Sequence, residues 1–177
     1  DYADVMMSEF NRLEAIINEF LVLSRSKSVK FEPVHVNLLL EEVIMVVESQ
    51  AVLKGVSIQK NLSPSLPNIQ GIPNELKQVF LNILKNGIEA MDGVTGVIQV
   101  TSVLEHNQMM LIFEDQGKGI PEEELGKLGE PFYTTKEKGT GLGLMMTIKI
   151  IESHGGSIRF ESKSFEGTRV IITFPMS

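Results

Sequence analysis

Four stretches of this 177-residue chain have residue types and spacings that could do chemistry. They are Asn82-Ile-Leu-Lys-Asn86, Asp115-Gln-Gly117-Lys-Gly119-Ile120, Glu130-Pro-Phe132-Tyr-Thr-Thr-Lys136 and Gly139-Thr140-Gly141-Leu142-Gly143-Leu144. Two amides on a helix, a carboxylate ending a strand and a glycine loop opening a helix together describe a nucleotide pocket. Each stretch has a plainer reading by itself. Asp115 could be a turn aspartate that satisfies the local backbone, and lone helical asparagines are usually solvated or cap a neighbour. Two of them one turn apart, in a helix otherwise dense with Leu and Ile, are harder to dismiss. Mg²⁺ prefers hard oxygen ligands and keeps several waters, so one amide oxygen from Asn86 plus triphosphate oxygens would suffice. The glycine loop opens a helix, so its free N–H groups and the positive end of the dipole can face phosphate. Lys136 and Lys138, just before that loop, could reach terminal phosphates or simply be solvated. Phe132 and Tyr133 read as anchors that fold a polar lid onto the domain when nucleotide is present, or as a minor apolar contact.

Known nucleotide loops of other kinds are excluded. A charged segment, not a strand, precedes the glycines, which argues against a dinucleotide fingerprint. There is no G-x-x-x-x-G-K-[ST] stretch, and the signature set of Ser/Thr kinases is incomplete.

The elements that must position these residues follow from periodicity. Leu76, Val79, Phe80, Ile83 and Gly87 form the buried stripe of a helix from Pro73 to about Met91, with Gln78, Asn82, Lys85, Asn86 and Glu89 opposite. Strands are expected at Gly96–Leu104 and Met109–Glu114, and a final hairpin at Ser157–Ser162 and Thr168–Phe174 around Glu166-Gly167. Residues 116–140 are too long and glycine-rich for a simple connection and read as a lid. A helix runs from about Gly141 to His154. Upstream, a short strand is expected at Val34–Val36, a helix capped by Asn37 and stopped by Gly55, and a strand at Val56–Lys60. Met6, Phe10, Leu13, Ile17 and Phe20, widened by Ile16 and Leu23, make one apolar seam on a helix over 2–27. That alternating three-four spacing suits a bundle helix followed by a polar linker at residues 24–28, although a helix packed on its own domain is the alternative.

Composition sets the bounds. A net charge of −7 argues against nucleic acid as a partner and leaves a nucleotide to be held by local positive potential. Cysteine is absent, which removes disulfides and thiolate metal sites. No apolar run approaches a membrane span and no signal-peptide pattern opens the chain. Starting at Asp1 within a helical pattern, the sequence reads as a fragment of a longer cytoplasmic protein or of the cytoplasmic part of a membrane-anchored one.

The four stretches resemble the N, G1, F and G2 boxes of sensor histidine kinases, in the superfamily that also holds gyrase, heat-shock chaperones and MutL. The stretch Glu130–Gly141 looks most like the nitrogen-regulation and sporulation kinases of bacteria. The resemblance implies an α+β chain with two parts. Residues 29–177 would be a two-layer α/β sandwich of the Bergerat type, with a mixed, largely antiparallel sheet under three helices. Residues 1–28 would be the second helix of a dimerising, phosphotransfer bundle plus a linker. It further implies ATP and Mg²⁺ as ligands, with transfer of the γ-phosphate to a histidine upstream of this chain. A response regulator would take the phosphate onward, in the cytoplasm, from a homodimer. By position, Asp115 would accept from the adenine amino group, and Gly117, Gly119 and Ile120 would let the base approach. Asn86 would ligate the metal, and Asn82 and Lys136 would serve catalysis. Thr140, Gly141, Leu142, Gly143 and Leu144 would hold phosphates, and Thr168 would support Asp115, although a hairpin-turn threonine is an equal reading.

Asn82 stands where gyrase-type ATPases carry a water-activating glutamate, and an amide cannot act as that base. Phosphotransfer is therefore favoured over hydrolysis. Departures from the pattern are Glu89 in place of a frequent basic residue, Ala90 in place of an aromatic, and Ile72 in place of a polar cap before Pro73. His35, in an expected strand, His106, in a turn, and His154, at a helix end, lack the acid-flanked setting of a phosphoacceptor. The rival readings are a nucleotide-binding regulatory module and an anti-sigma-type serine kinase of the same superfamily.

Overall fold

The computed structural model describes residues 2–24, 30–136 and 139–176. Helix α1 (Tyr2–Ser24) extends from the body and makes its main approach to the helix at Gly143–Ser153. Five residues of its seam, Met6, Phe10, Leu13, Ile17 and Phe20, are exposed, Phe10 to 72 %. The expected linker at residues 25–28 lies outside the described residues.

The body is a sheet in the order β2-β4-β5-β7-β6, formed by Val56–Leu62, Gly96–Glu105, Gln108–Asp115, Gly167–Pro175 and Ser157–Lys163. Strands β2 and β4 run parallel and the other pairs antiparallel, so the sheet is mixed. Three helices, α2 (Val36–Leu53), α3 (Pro73–Ala90) and α5 (Gly143–Ser153), pack against one another and the sheet. Phe80 of α3 and Phe113 of β5 meet in the core between the layers, ring centroids 6.1 Å apart. A short helix, α4 (Glu122–Leu125), lies inside the long connection between β5 and α5.

Several local expectations are corrected. The first strand is β1 (Glu32–Val34), paired with β3 (Ile69–Gly71), and His35 caps α2 through its carbonyl without belonging to a strand. Asn37 does not cap α2. It lies in the first turn, where its Nδ2 donates to the Ser63 carbonyl (2.7 Å) and its Oδ1 accepts from the Ser102 hydroxyl (2.8 Å). A buried amide needs both partners, and the ends of β2 and β4 supply them. Helix α5 starts two residues later than expected because Gly141 has φ +70, a left-handed conformation that no helix continues through.

His154 joins the two helices that frame the cleft. Its Nδ1 hydrogen bonds with the Ile150 carbonyl (2.7 Å), and its Nε2 accepts from the Ile72 N–H (3.0 Å) just before Pro73. That ring satisfies the N–H of the N-cap residue itself, the bond an N3 acid makes in a capping box, while α3 keeps no side-chain cap.

Candidate functional site

A cleft of about 570 Å³ opens between α3, the ends of β5 and β7, and the connection leading into α5. Its floor is apolar (Ile98, Phe113, Val170) and its rim polar, the composition of a site for a flat ring with a charged tail.

Asp115 ends β5 at one side of this floor. The register places it opposite Thr168, which in turn lies opposite Ser162, so three polar residues form a row across three strands. The Gly117 N–H donates to Asp115 Oδ1 (2.9 Å), which fixes the carboxylate plane. Burial pushes the Asp115 carboxyl above its ordinary 3.8, while the backbone N–H groups of Gly117 and Thr168 pull it back. The Thr168 hydroxyl bonds with Ser162 Oγ (2.9 Å), so its support of Asp115 runs through the backbone. Ser162 also accepts from the Ile120 N–H (2.8 Å), pinning the glycine-rich loop over β6. Ser162 was missed from the sequence, yet strand alternation and the hairpin register already place it beside Thr168. Gly119 has φ +67, and a Cβ there would run into the Lys163 carbonyl, so only glycine fits.

On α3, Asn82 and Asn86 face the cleft from successive turns. Asn82 Nδ2 donates to the buried Thr147 hydroxyl of α5 (2.9 Å), so this amide also locks α3 to α5. Asn86 Oδ1 points at the cleft mouth, where it accepts from the Lys136 ammonium (2.6 Å). The same ammonium pairs with the Glu89 carboxylate.

Gly139, Thr140, Gly141, Gly143 and Leu144 line the cleft beside Asn82. A Cβ at Gly143 would lie 2.9 Å from Asn82 Oδ1, so glycine there lets the helix start close against α3. Among the described residues no side chain caps α5, whose first residues Gly143 and Leu144 line the cleft.

Of the expected site residues, Gly117 and Leu142 do not line the cleft. Gly117 turns against the Ala90 carbonyl and orients Asp115, and Leu142 sends its side chain into the core at 1 % exposure. Phe132 is 64 % exposed, and its backbone, at φ +63, tethers the connection through its N–H to the Gly141 carbonyl (3.0 Å). Tyr133 does line the cleft, beneath the Lys127 ammonium 5.8 Å from its ring centroid. Lys138 lies outside the described residues. Among the described residues no three His, Cys, Asp or Glu side chains cluster to hold a metal, and no helix is long and apolar enough to cross a membrane.

Comparison with known proteins follows the same lines. The model of the family described as histidine kinase-, DNA gyrase B-, and HSP90-like ATPase matches residues 71–177. The chain is 43 % identical to sporulation kinase E of Bacillus subtilis (strain 168) over 99 % of its own length and 24 % of that protein. It is similar to the nucleotide-free catalytic domain of the histidine kinase ThkA, with a TM-score of 0.74 at 31 % identity, covering 83 % of this chain and 96 % of that one. It is similar also to ThkA in complex with the response regulator protein TrrA, with a TM-score of 0.81 at 29 % identity, covering 99 % of this chain and 51 % of that one. Among the curated relatives of sporulation type, the chain spans from 24 % to 41 % of the full length.

Proposed function

Because the chain belongs to the family of histidine kinase-, DNA gyrase B- and HSP90-like ATPases, we propose that it is the ATP-binding catalytic region of a two-component or phosphorelay sensor histidine kinase. Its task in that reading is to pass the γ-phosphoryl group to a histidine on a separate helical segment. One observation carries the choice of transfer over hydrolysis. The α3 position facing the cleft beside the glycine loop is Asn82, whose amide is committed to Thr147 and cannot take a proton from water.

The remaining residues divide the work of binding. Asp115 accepts from the adenine amino group, and the apolar floor of Ile98, Phe113 and Val170 takes the ring. A guanine, with a carbonyl at that position, would face the carboxylate without a donor. The first-turn N–H groups of α5 and the Lys136 ammonium hold phosphate oxygens and align the terminal group. Asn86 Oδ1 suits Mg²⁺: it is a hard oxygen, turned to the cleft, and already accepts a cationic group from Lys136. When bound there, Mg²⁺ would neutralise triphosphate charge.

The acceptor lies on another segment in this reading, because none of the three histidines suits it. His35 caps α2, His106 sits in a turn at φ +48, and both ring nitrogens of His154 are engaged. The exposed seam of α1 is the surface for that bundle, and through it for a homodimer. ThkA forms a complex with a response regulator protein, and a response regulator is the matching downstream partner here. The cytoplasm, where ATP is maintained, is the implied compartment.

Incubation with γ-labelled ATP and a separately supplied histidine-bearing helical domain tests this. Acid-labile label should appear on the added domain, not on this chain, and Asn86→Ala should abolish it. Label on His35, His106 or His154, or an unlabelled acceptor while ATP is bound, would sink the proposal.

A further inference from the structure

An acidic chain must still bring positive charge to a triphosphate. Among the described residues three lysines line the cleft. Lys54 pairs with Asp92 (3.4 Å), Lys118 belongs to the glycine-rich loop after β5, and Lys136 reaches Asn86. Lys136 alone of these touches the amide expected at the phosphate end, and it does so while its ammonium pairs with Glu89, one turn after Asn86 on α3. The sequence has an acid at position 89 where a base is frequent in the family it resembles. The structure shows what stands in its place: the cation comes from the connection before α5, and the helix offers the carboxylate that receives it.

We propose that Glu89 is the positioning residue of Lys136, holding its ammonium at the phosphate end of the cleft. This rests on the reading of the cleft as a nucleotide site. A lysine side chain has four rotatable bonds and loses rotamer entropy when it is fixed. Glu89 and Asn86 restrict that freedom before ligand arrives. When phosphate oxygens take over from Asn86, the pair with Glu89 can persist, so the ammonium keeps one anchor. Both side chains are substantially exposed, 38 % for Lys136 and 50 % for Glu89, so the coupling is modest and the fold does not depend on it.

The inference makes a prediction opposite in sign to bulk electrostatics. Removing a carboxylate near a polyanion should tighten binding if charge alone mattered. As the anchor of Lys136, Glu89 should do the reverse, and Glu89→Ala should weaken ATP about two- to fivefold, the scale of an exposed ion pair. Lys136→Ala should weaken ATP about tenfold or more, the scale of a charge-assisted hydrogen bond. In the Lys136→Ala background, Glu89→Ala should cause no further loss. The double exchange Glu89→Lys with Lys136→Glu should recover affinity over Glu89→Lys alone, because the swap restores the pair that holds the cation, whereas two lysines side by side repel each other.

Calorimetry on the whole chain, with ATP in the absence and presence of Mg²⁺, reads all five variants, and thermal melts confirm that each is folded. Tighter ATP binding by Glu89→Ala, or additive losses in the double alanine variant, would overturn the positioning role while leaving nucleotide binding intact. A folded wild-type chain that binds no ATP would instead overturn the proposed function, and this inference with it.

Discussion

At the residue scale the cleft depends on one carboxylate held in an unfavourable state. Burial raises the Asp115 carboxyl above 3.8, so the folded chain binds that proton more tightly than the unfolded chain does. Stability from this group is therefore gained as pH falls through the raised value and lost as pH rises through it; ionised Asp115 is a cost to folding at neutral pH. Asp115→Asn should accordingly unfold at a urea concentration no lower than wild type. The same change should weaken adenine nucleotides about ten- to a hundredfold, since a charged hydrogen bond is lost. Wild-type affinity should fall as pH is lowered toward the raised value, from above 3.8, whereas the ratio to Asp115→Asn should be flat far above it. Equal affinities for ATP and GTP in wild type would contradict the role given to this residue. Asp115 was legible from its place at the end of an apolar strand. The separate duties of Asn82 and Asn86 were not, because sequence spacing puts both on one face and only packing shows that Asn82 is tied to Thr147.

At the element scale, long periodic segments were read well and short or polar-anchored ones poorly. Helix α3 was legible because its buried stripe repeats from Leu76 to Ile88 and Pro73 marks its start. Strand β3 was not, since three residues between prolines carry no periodicity and acquire strand character only by pairing with distant β1. Asn37 shows the same limit: its type suggests a cap, and only the ends of β2 and β4 make it a buried crosslink. His154 offers the sharpest test of how elements are joined. His154→Ala should leave the Ile72 N–H without its partner and loosen the start of α3 against α5. A loss of about 1–3 kcal/mol in urea unfolding is expected, the scale of an unsatisfied polar group with lost contacts. Phe31, whose ring centroid lies 5.0 Å from that imidazole, should lose protection in the same variant. An unchanged unfolding midpoint would show that apolar contacts and the Asn82–Thr147 bond hold the two helices without His154.

At the scale of the whole molecule, the sandwich buries its own core while α1 does not share in it. The seam from Met6 to Phe20 keeps the spacing of a bundle helix, with Met6, Phe10, Leu13, Ile17 and Phe20 exposed, and the sandwich meets α1 mainly near α5. Fully burying one such side chain is worth roughly 1.5–3 kcal/mol, so water drives this face toward another apolar face. The chain should therefore self-associate weakly, in a concentration-dependent way, through α1. Introducing Phe10→Glu together with Ile17→Glu puts two charges into the seam and should return sedimentation to a monomer at all concentrations. Neither residue lines the cleft, so ATP affinity should not change. Association that survives both substitutions would place the contact elsewhere, with the exposed Leu38, Met45, Val52 and Leu53 of α2 as the next surface to test. It would also remove the support that α1 gives to a bundle partner, leaving the nucleotide site of the sandwich unaffected.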